Sequence, residues 1–503
     1  MKNKLLARNT YTSLLYQVVT VACGFVLPKL ILVHYGTAVN GLVNSITQFL
    51  GLITYLDLGI SAVVQSALYK PLAEKNNKNI SEIISSARKF FKTIARILAV
   101  YVVILIFIYP FIIQNSEFDI VYTGTLIVAI SISSFAQYYF GITDQLLISA
   151  DQRVYIPYML QIITLIVNTI ACAILMSLGH SIQLVKLTTS LIFLVRPLYY
   201  RIYVNKHYNI NRNAHYEKEP IQQKWNGIAQ HVAAVVIGGT DTVVLTLFST
   251  LQNVSIYGVY YLVINGVQKI FVSATTGFQS FYGDLWAKGE TEKLRKSFES
   301  LVWTIHTSVV FVFGCVAVLI VPFVKVYTFG VNDADYDVPL FALLITLAYA
   351  AYCIRLPYNL MVLAGNHYKQ TQKSYIIATA LNIVVSVITV KIYGLIGVAA
   401  GTLISMLYQT IWMAYYNDKN LVQWPFKEFV KQTFVDVISF VPPYVICLMY
   451  SLNGCSYTMW VVLAVKVAVT WIVWIVLVNF FCYRSKLYAI LERLTKKKIV
   501  LNK

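Results

Sequence analysis

Residues 91–113 read FKTIARILAVYVVILIFIYPFII. An α-helix needs ~20 apolar residues to cross the hydrocarbon core of a bilayer, and this run is long enough. Lys70, Lys75, Lys78, Arg88, Lys89 and Lys92 stand before or at its start, and Glu117 and Asp119 follow it. Lysine and arginine collect on the cytoplasmic side of membrane proteins. The run therefore reads as a transmembrane helix that enters from the cytoplasm and ends outside. A strand reading fails, because the alternation of a barrel strand is absent and an open sheet edge cannot be satisfied in lipid.

The same pattern extends along the chain. Of 503 residues, 58% are hydrophobic and 12% are charged, which excludes a soluble globular enzyme, a disordered chain and a secreted disulfide scaffold. Fourteen segments reach spanning length: 10–33, 39–68, 91–113, 120–150, 155–178, 182–204, 225–249, 255–285, 298–327, 338–364, 374–392, 395–416, 430–450 and 457–482. The expected class is an all-α polytopic membrane protein. The first segment contains Lys29, lacks a small-residue cleavage site and precedes many others, so it reads as a helix and not as a cleaved signal.

Charge sets the orientation. The chain has 40 Lys+Arg against 21 Asp+Glu, a net charge of +19. The cations cluster in both tails and in alternate gaps, around Lys70–Lys92, Arg153, Arg201–Lys224, Lys288–Lys296, Lys369–Lys373 and Lys419–Lys431. The opposite gaps hold Lys391 beside Glu117, Asp119, Asp333, Asp335 and Asp337. Both termini are expected in the cytoplasm, and the positive charge is a topology signal, not a nucleic-acid surface. Six of the seven cysteines lie in apolar stretches and Cys455 lies in a loop, with no CxxC pair. The histidines His34, His180, His231, His306 and His367 share no helical face with ligand spacing, so neither a metal nor another cofactor is expected.

The chain also reads as duplicated. At an offset of 218, Gly59, Lys70, Glu74 and Lys75 meet Gly277, Lys288, Glu292 and Lys293; at 214, Ala150, Asn168 and Thr188 meet Ala364, Asn382 and Thr402. These matches predict two pseudo-symmetric six-helix bundles, with helices thirteen and fourteen outside the repeat. The expected domains are an N-terminal bundle over 1–205, a cytoplasmic linker over 206–224, a second bundle over 225–416, and 417–503 for the last two helices and the basic tail. An even number of helices per copy makes the repeat parallel, the kind that leaves a cleft between two rocking bundles.

Ionisable residues inside spans usually face a cavity or a partner. The cations Lys29, Arg196, Lys269 and Arg355 are candidates for binding substrate, with Lys466 weaker because it lies outside the repeat. The acids Asp57, Asp144 and Asp241 are candidates for ion coupling or gating, while Asp284 and Asp436 sit near cytoplasmic helix ends. At ~1.5 Å per residue, Lys29 and Asp241 both lie roughly 7–12 Å below the outer face, at a depth where they could pair as a gate. Pro197 and Pro357 beside Arg196 and Arg355 predict kinks of the sort that line substrate paths. Cations outnumber acids in the spans, which points to an anionic cargo. The many tyrosines near helix ends read as an interfacial belt.

Residues 34–59, HYGTAVNGLVNSITQFLGLITYLDLG, together with AGNHYK at 364–369, Asn382 and YGLIGVAAGT at 393–402, resemble the polysaccharide flippases of the multidrug/oligosaccharidyl-lipid/polysaccharide exporter superfamily, the Wzx-type proteins. The resemblance implies a MATE-like fold of two bundles opening alternately to each side of a bacterial plasma membrane. It implies an undecaprenyl-pyrophosphate-type lipid-linked glycan as cargo, flipped outward for capsule, O-antigen or exopolysaccharide assembly, beside membrane lipids and a polysaccharide polymerase. Relatives place arginines in helix one, where this chain offers only Lys29.

No GxxxxGK[ST] loop occurs, so the expectation is a secondary transporter driven by protons, sodium or product withdrawal, and not an enzyme. A drug/cation antiporter of the same fold would need acids where this chain has cations. A membrane polymerase or acyltransferase would need a large external loop or a His/Asp pair in a membrane pocket.

Overall fold

The computed structural model describes residues 2–53, 60–113, 118–221, 239–452 and 454–487. Among them the chain is helical, without a strand. In order come α1 (Lys2–Gly51), α2 (Ile60–Ala73), α3 (Asn77–Ile113), α4 (Ile120–Ala136), a π-helical turn (Gln137–Gly141), α5 (Ile142–Ala150), α6 (Tyr155–Ser177) and α7 (Ile182–His207). Then follow α8 (Gly239–Phe248), α9 (Leu251–Ala287), α10 (Thr291–Tyr327), α11 (Pro339–Ala364), α12 (Tyr368–Tyr393), α13 (Leu395–Asn420), α14 (Phe426–Cys447) and α15 (Tyr457–Cys482). The expected seventh span lies mostly outside the described residues, as does Asp57.

The helix opened by residues 91–113 shows why the environment is lipid. Val100, Val103, Ile104, Phe107, Ile108 and Phe111 recur at three- and four-residue steps on α3 and are 46–82% exposed. Ile94, Leu98, Leu105 and Tyr109 are buried on its other face. A helix apolar all round, with one whole side unpaired, belongs in a membrane. Ten helices among the described residues are long and apolar enough to cross one, and the chain is a multi-pass membrane protein. Besides the seventh, three expected spans are not separate members of that set: the second, which shares the long helix Ala7–Gly51 with the first, α9, which carries Lys269, and α14, which carries Asp436.

Helix α1 is broken at Gly36, whose backbone (φ 82°) is left-handed and suits glycine. The broken end exposes amide groups, and Asp333 caps them: the Thr37 N–H and hydroxyl donate to its two carboxylate oxygens at 2.6 and 2.5 Å. Helices α12 and α13 approach through Gly397 and Gly401, four residues apart. A Cβ on either would fall within 2.6 Å of Thr389 or Ser386 on α12. Asn382 then donates to Thr402 at 3.0 Å.

One offset, 214, aligns the repeated elements. It carries the helix start at Thr37 onto Leu251, all of α3 onto α10, and Ala150 at the end of α5 onto Ala364 at the end of α11. Left-handed residues recur with it: Lys75 (φ 52°) and Gly289 (φ 68°), Gln152 (φ 60°) and Asn366 (φ 58°). Each terminates its helix by the same two bonds; the Asn76 N–H reaches Pro71 O and the Lys75 N–H reaches Leu72 O, as Glu290 reaches Leu285 and Gly289 reaches Trp286. The hydrogen bond from Arg153 to the Tyr203 hydroxyl (2.8 Å) recurs, to within a residue, between His367 and Tyr416 (2.8 Å). The offset of 218 is therefore not the structural register. It would set Lys75, in a turn, against Lys293, inside α10.

By contact the chain separates into two compact units, residues 1–258 with 331–334, and 259–330 with 335–503. The first has one large core that includes Ile46, Phe91, Leu98 and Tyr109. In the second, α14 and α15 lie beyond the last repeated helix, and they attach to α10 around the fully buried Trp471.

Candidate functional site

Arg355 sits on α11 at 6% exposure. Its Nη1 donates to Gln409 Oε1 on α13, and its guanidinium lies 4.9 Å from the ring centroid of Tyr352. No carboxylate pairs with it among the described residues. A neutral amide and an aromatic face offset only part of the cost of burying a cation. Arginine carries five N–H donors in a planar fork, and here most face no acceptor of opposite charge.

Arg196, half-buried on α7, is held the same way. Its Nε donates to Thr164 Oγ1 on α6 at 2.7 Å, and its guanidinium lies 3.9 Å from the centroid of Phe193. Its Nη2 is buried without a hydrogen-bond partner among the described residues. Pro197, next along, presses on Gly141 at the end of the π-helical turn, where a Cβ would lie 2.6 Å from the proline's own. Such π-turns are enriched at functional positions in helices.

The offset of 214 carries Gly141 onto Arg355, and Arg196 onto Thr410, the neighbour of Gln409. The two side chains bond across different helix pairs, Arg196 from α7 to α6 and Arg355 from α11 to α13. Neither pairs with a carboxylate among the described residues. Charge-assisted, bidentate contact with phosphoryl oxygens is the chemistry that such guanidinium groups perform best.

The other expected residues fall elsewhere. Lys29 is half-buried on α1. Lys269 is exposed on α9, with no ion pair or hydrogen bond among the described residues. Lys325, near a helix end, pairs with Asp337 at 2.7 Å. Asp241 on α8 is buried and accepts from the Tyr257 hydroxyl at 3.0 Å.

Asp144 on α5 is fully buried and clasped by Arg212, whose Nε and Nη2 donate to its two oxygens at 3.1 Å each; Arg201 stands 3.9 Å away. Arg212 belongs to a segment that sequence alone reads as a linker. The structure packs it instead as a strap: Tyr208 donates to Asp151 at 2.7 Å, the Asn211 N–H to Ser81 at 3.1 Å, Arg88 to Asn213 at 3.0 Å and Ser86 to Glu219. Burial and the adjacent Asp151 carboxylate push the Tyr208 hydroxyl up from its usual range. Sequence reasoning missed this strap, Gln409 beside Arg355 and Asp333 at the helix break. Each partner is distant in sequence, and no local pattern marks it.

No protein-family model and no curated protein matches this sequence. Solved structures do match by shape. The lipid II flippase MurJ, in an inward closed conformation, aligns at 14% identity over 95% of this chain and 99% of its own, with a TM-score of 0.69. An inward-facing multidrug resistance MATE family transporter of the MOP superfamily aligns at 12% identity over 80% of this chain and 96% of its own (TM-score 0.58). The eukaryotic MATE transporter AtDTX14 aligns at 11% identity over 86% and 99% (TM-score 0.58). The helical architecture of the described residues, its repeat and these alignments together give the chain the fold of MurJ and of the MATE transporters.

Proposed function

We propose that the chain is a flippase. It moves a polyprenyl-pyrophosphate-linked oligosaccharide from the cytoplasmic to the outer leaflet of a bacterial plasma membrane by alternating access, for capsule, O-antigen or exopolysaccharide synthesis. The carrying observation is the pair Arg196 and Arg355, one guanidinium group in each compact unit, each bonded to a neutral side chain and paired with no carboxylate among the described residues. The likeness to a structure described as a lipid II flippase supports a lipid-linked cargo.

In this reading fourteen helices cross the membrane with both termini in the cytoplasm. Bundles over 1–205 and 225–416 rock against each other, joined through the strap segment 206–224, and 417–503 adds the last two helices and the tail. Arg196 and Arg355 hold the pyrophosphate with Lys29 and Lys269, while the prenyl tail stays in lipid. Lys29 and Asp241 form the outer gate, and Asp57 and Asp144 are the remaining candidates for proton or sodium coupling. A polysaccharide polymerase consumes the product. The rival reading, a MATE-like drug/cation antiporter, calls for carboxylates able to compensate a cationic cargo, whereas the fully buried Asp144 is already compensated by Arg212.

The test is leaflet transfer of a fluorescent polyprenyl-pyrophosphate disaccharide in vesicles holding the full-length protein. Arg196→Gln with Arg355→Gln is expected to slow transfer at least tenfold, about 1.4 kcal/mol of lost head-group interaction. Lysine at both positions keeps the charge and should restore part of the rate. Transfer unchanged by the double glutamine variant refutes the assigned role.

A further inference from the structure

An imidazole–carboxylate pair ties α14, outside the repeat, to α10 within it. His306 is fully buried on α10, and its Nδ1 lies 2.5 Å from Asp436 Oδ2 on α14. Gln432, one turn earlier on α14, donates to Asp436 Oδ1 at 3.2 Å. Both carboxylate oxygens are thus engaged, and no lysine or arginine pairs with Asp436 among the described residues. Asp436 lies ten residues into α14, roughly 15 Å along the helix at ~1.5 Å per residue.

The cluster is also incomplete. His306 Nε2 and the hydroxyl of Tyr358 on α11 are buried without hydrogen-bond partners among the described residues. Both side chains stand around the ring of Phe429, at 6.3 and 5.8 Å between centroids. Orphaned buried groups are uncommon and call for a physical reason. The titratable and charged groups around the pair and its neighbouring cavity are Tyr358 from α11, Glu428 and Lys431 earlier on α14, Arg295 and Glu299 earlier on α10, and Tyr483, Arg484 and Lys486 after α15, of which Lys486 pairs with Glu299 at 2.9 Å.

Charge counting bears on the pair itself. Without a proton the pair carries one net negative charge; with one it is neutral, whether written as imidazolium with carboxylate or imidazole with carboxylic acid. A buried, uncompensated charge is expensive, so packing of α14 on α10 favours the one-proton form. Gln432 also lines a cavity of about 700 Å³ that Arg295, Lys431 and Trp424 share. One glutamine side chain therefore separates that cavity from Asp436, whose side chain is 11% exposed while that of His306 is closed off.

We propose that His306 and Asp436 form a single-proton site, loaded from this cavity, through which proton binding controls the docking of α14 on α10. The proton passes from water in the cavity to the pair, and on release it returns to water, leaving a carboxylate that draws on Lys431 and Arg295. The helices beyond the repeat then carry the proton input of transport. The proton site stands on its own geometry; the coupling to transport rests on the flippase reading.

Two measurements on the full-length protein separate these. Infrared difference spectra of the purified protein in lipid nanodiscs, taken between acid and alkaline solution, should show a histidine and a buried carboxyl signal titrating together. Asp436→Asn should abolish both and His306→Gln the histidine signal, while Asp436→Glu should restore the carboxyl one. Absence of a joint signal in the unmodified protein overturns the site. In vesicles carrying the fluorescent polyprenyl-pyrophosphate disaccharide, an imposed pH gradient should accelerate transfer at least threefold in the unmodified protein and leave His306→Gln and Asp436→Asn unchanged. A gradient response retained in both variants overturns the coupling. No transfer by the unmodified protein sinks the flippase reading and the coupling with it, and the infrared arm still decides the proton site.

Discussion

At the scale of single residues, what matters is which neighbour each buried charge finds. Asp144 stands inside an apolar run, and that alone marks it as costly and therefore interesting. Its compensation by Arg212 comes from a polar segment 68 residues further on, which no local pattern could reveal. Arg355 was legible as a buried cation, but its acceptor Gln409 lies 54 residues away on another helix. The clasp on Asp144 makes a prediction. Asp144→Asn leaves Arg212 with a neutral partner and should loosen the strap, since weakening a buried charge-assisted pair costs about 1–3 kcal/mol. Trypsin should then cut after Arg212 about tenfold faster for each 1.4 kcal/mol lost, read as the appearance of the two fragments on a gel. Unchanged cleavage would mean that Asp144 does not hold the strap.

At the scale of helices, small residues decide how closely neighbours can lie. Lipid tails offer no hydrophobic drive for helix association, so contact rests on packing and interhelical hydrogen bonds. The stretch GVAAG at 397–401 is legible as part of a familiar-looking motif, and the structure supplies its physical meaning: glycines at both ends admit α12 to within reach of the α13 backbone. Gly401→Leu is expected to lower stability by about 1–3 kcal/mol through overpacking, and to break the Asn382–Thr402 hydrogen bond (3.0 Å) as the helices part. Thermal unfolding of the detergent-solubilised protein would register this as a lower midpoint. Lipid-facing Ile388→Leu, at 63% exposure on α12, serves as the neutral control.

At the scale of the whole chain, the sequence told of apolar spans, of charge sidedness and of a duplication, because each is written in residue types at regular spacing. It did not tell the register of the duplication, because a register rests on backbone geometry that many residue types can adopt. Lysine and glutamate matches at 218 are coincidences of composition in cation-rich helix ends and turns. The repeated helix-ending turn, whose left-handed residue is Lys75 in one copy and Gly289 in the other, gives 214. Lys75 is left-handed whichever residue of the second copy it answers to, so substitution tests the repeated turn itself. Lys75→Gly relieves a strained left-handed residue and should raise stability by about 0.5–1 kcal/mol, while Gly289→Val should lower it by at least as much. Opposite shifts in unfolding midpoint for the two variants are the expected outcome, and a midpoint lowered by Lys75→Gly would mean that Lys75 does not hold the turn that Gly289 holds.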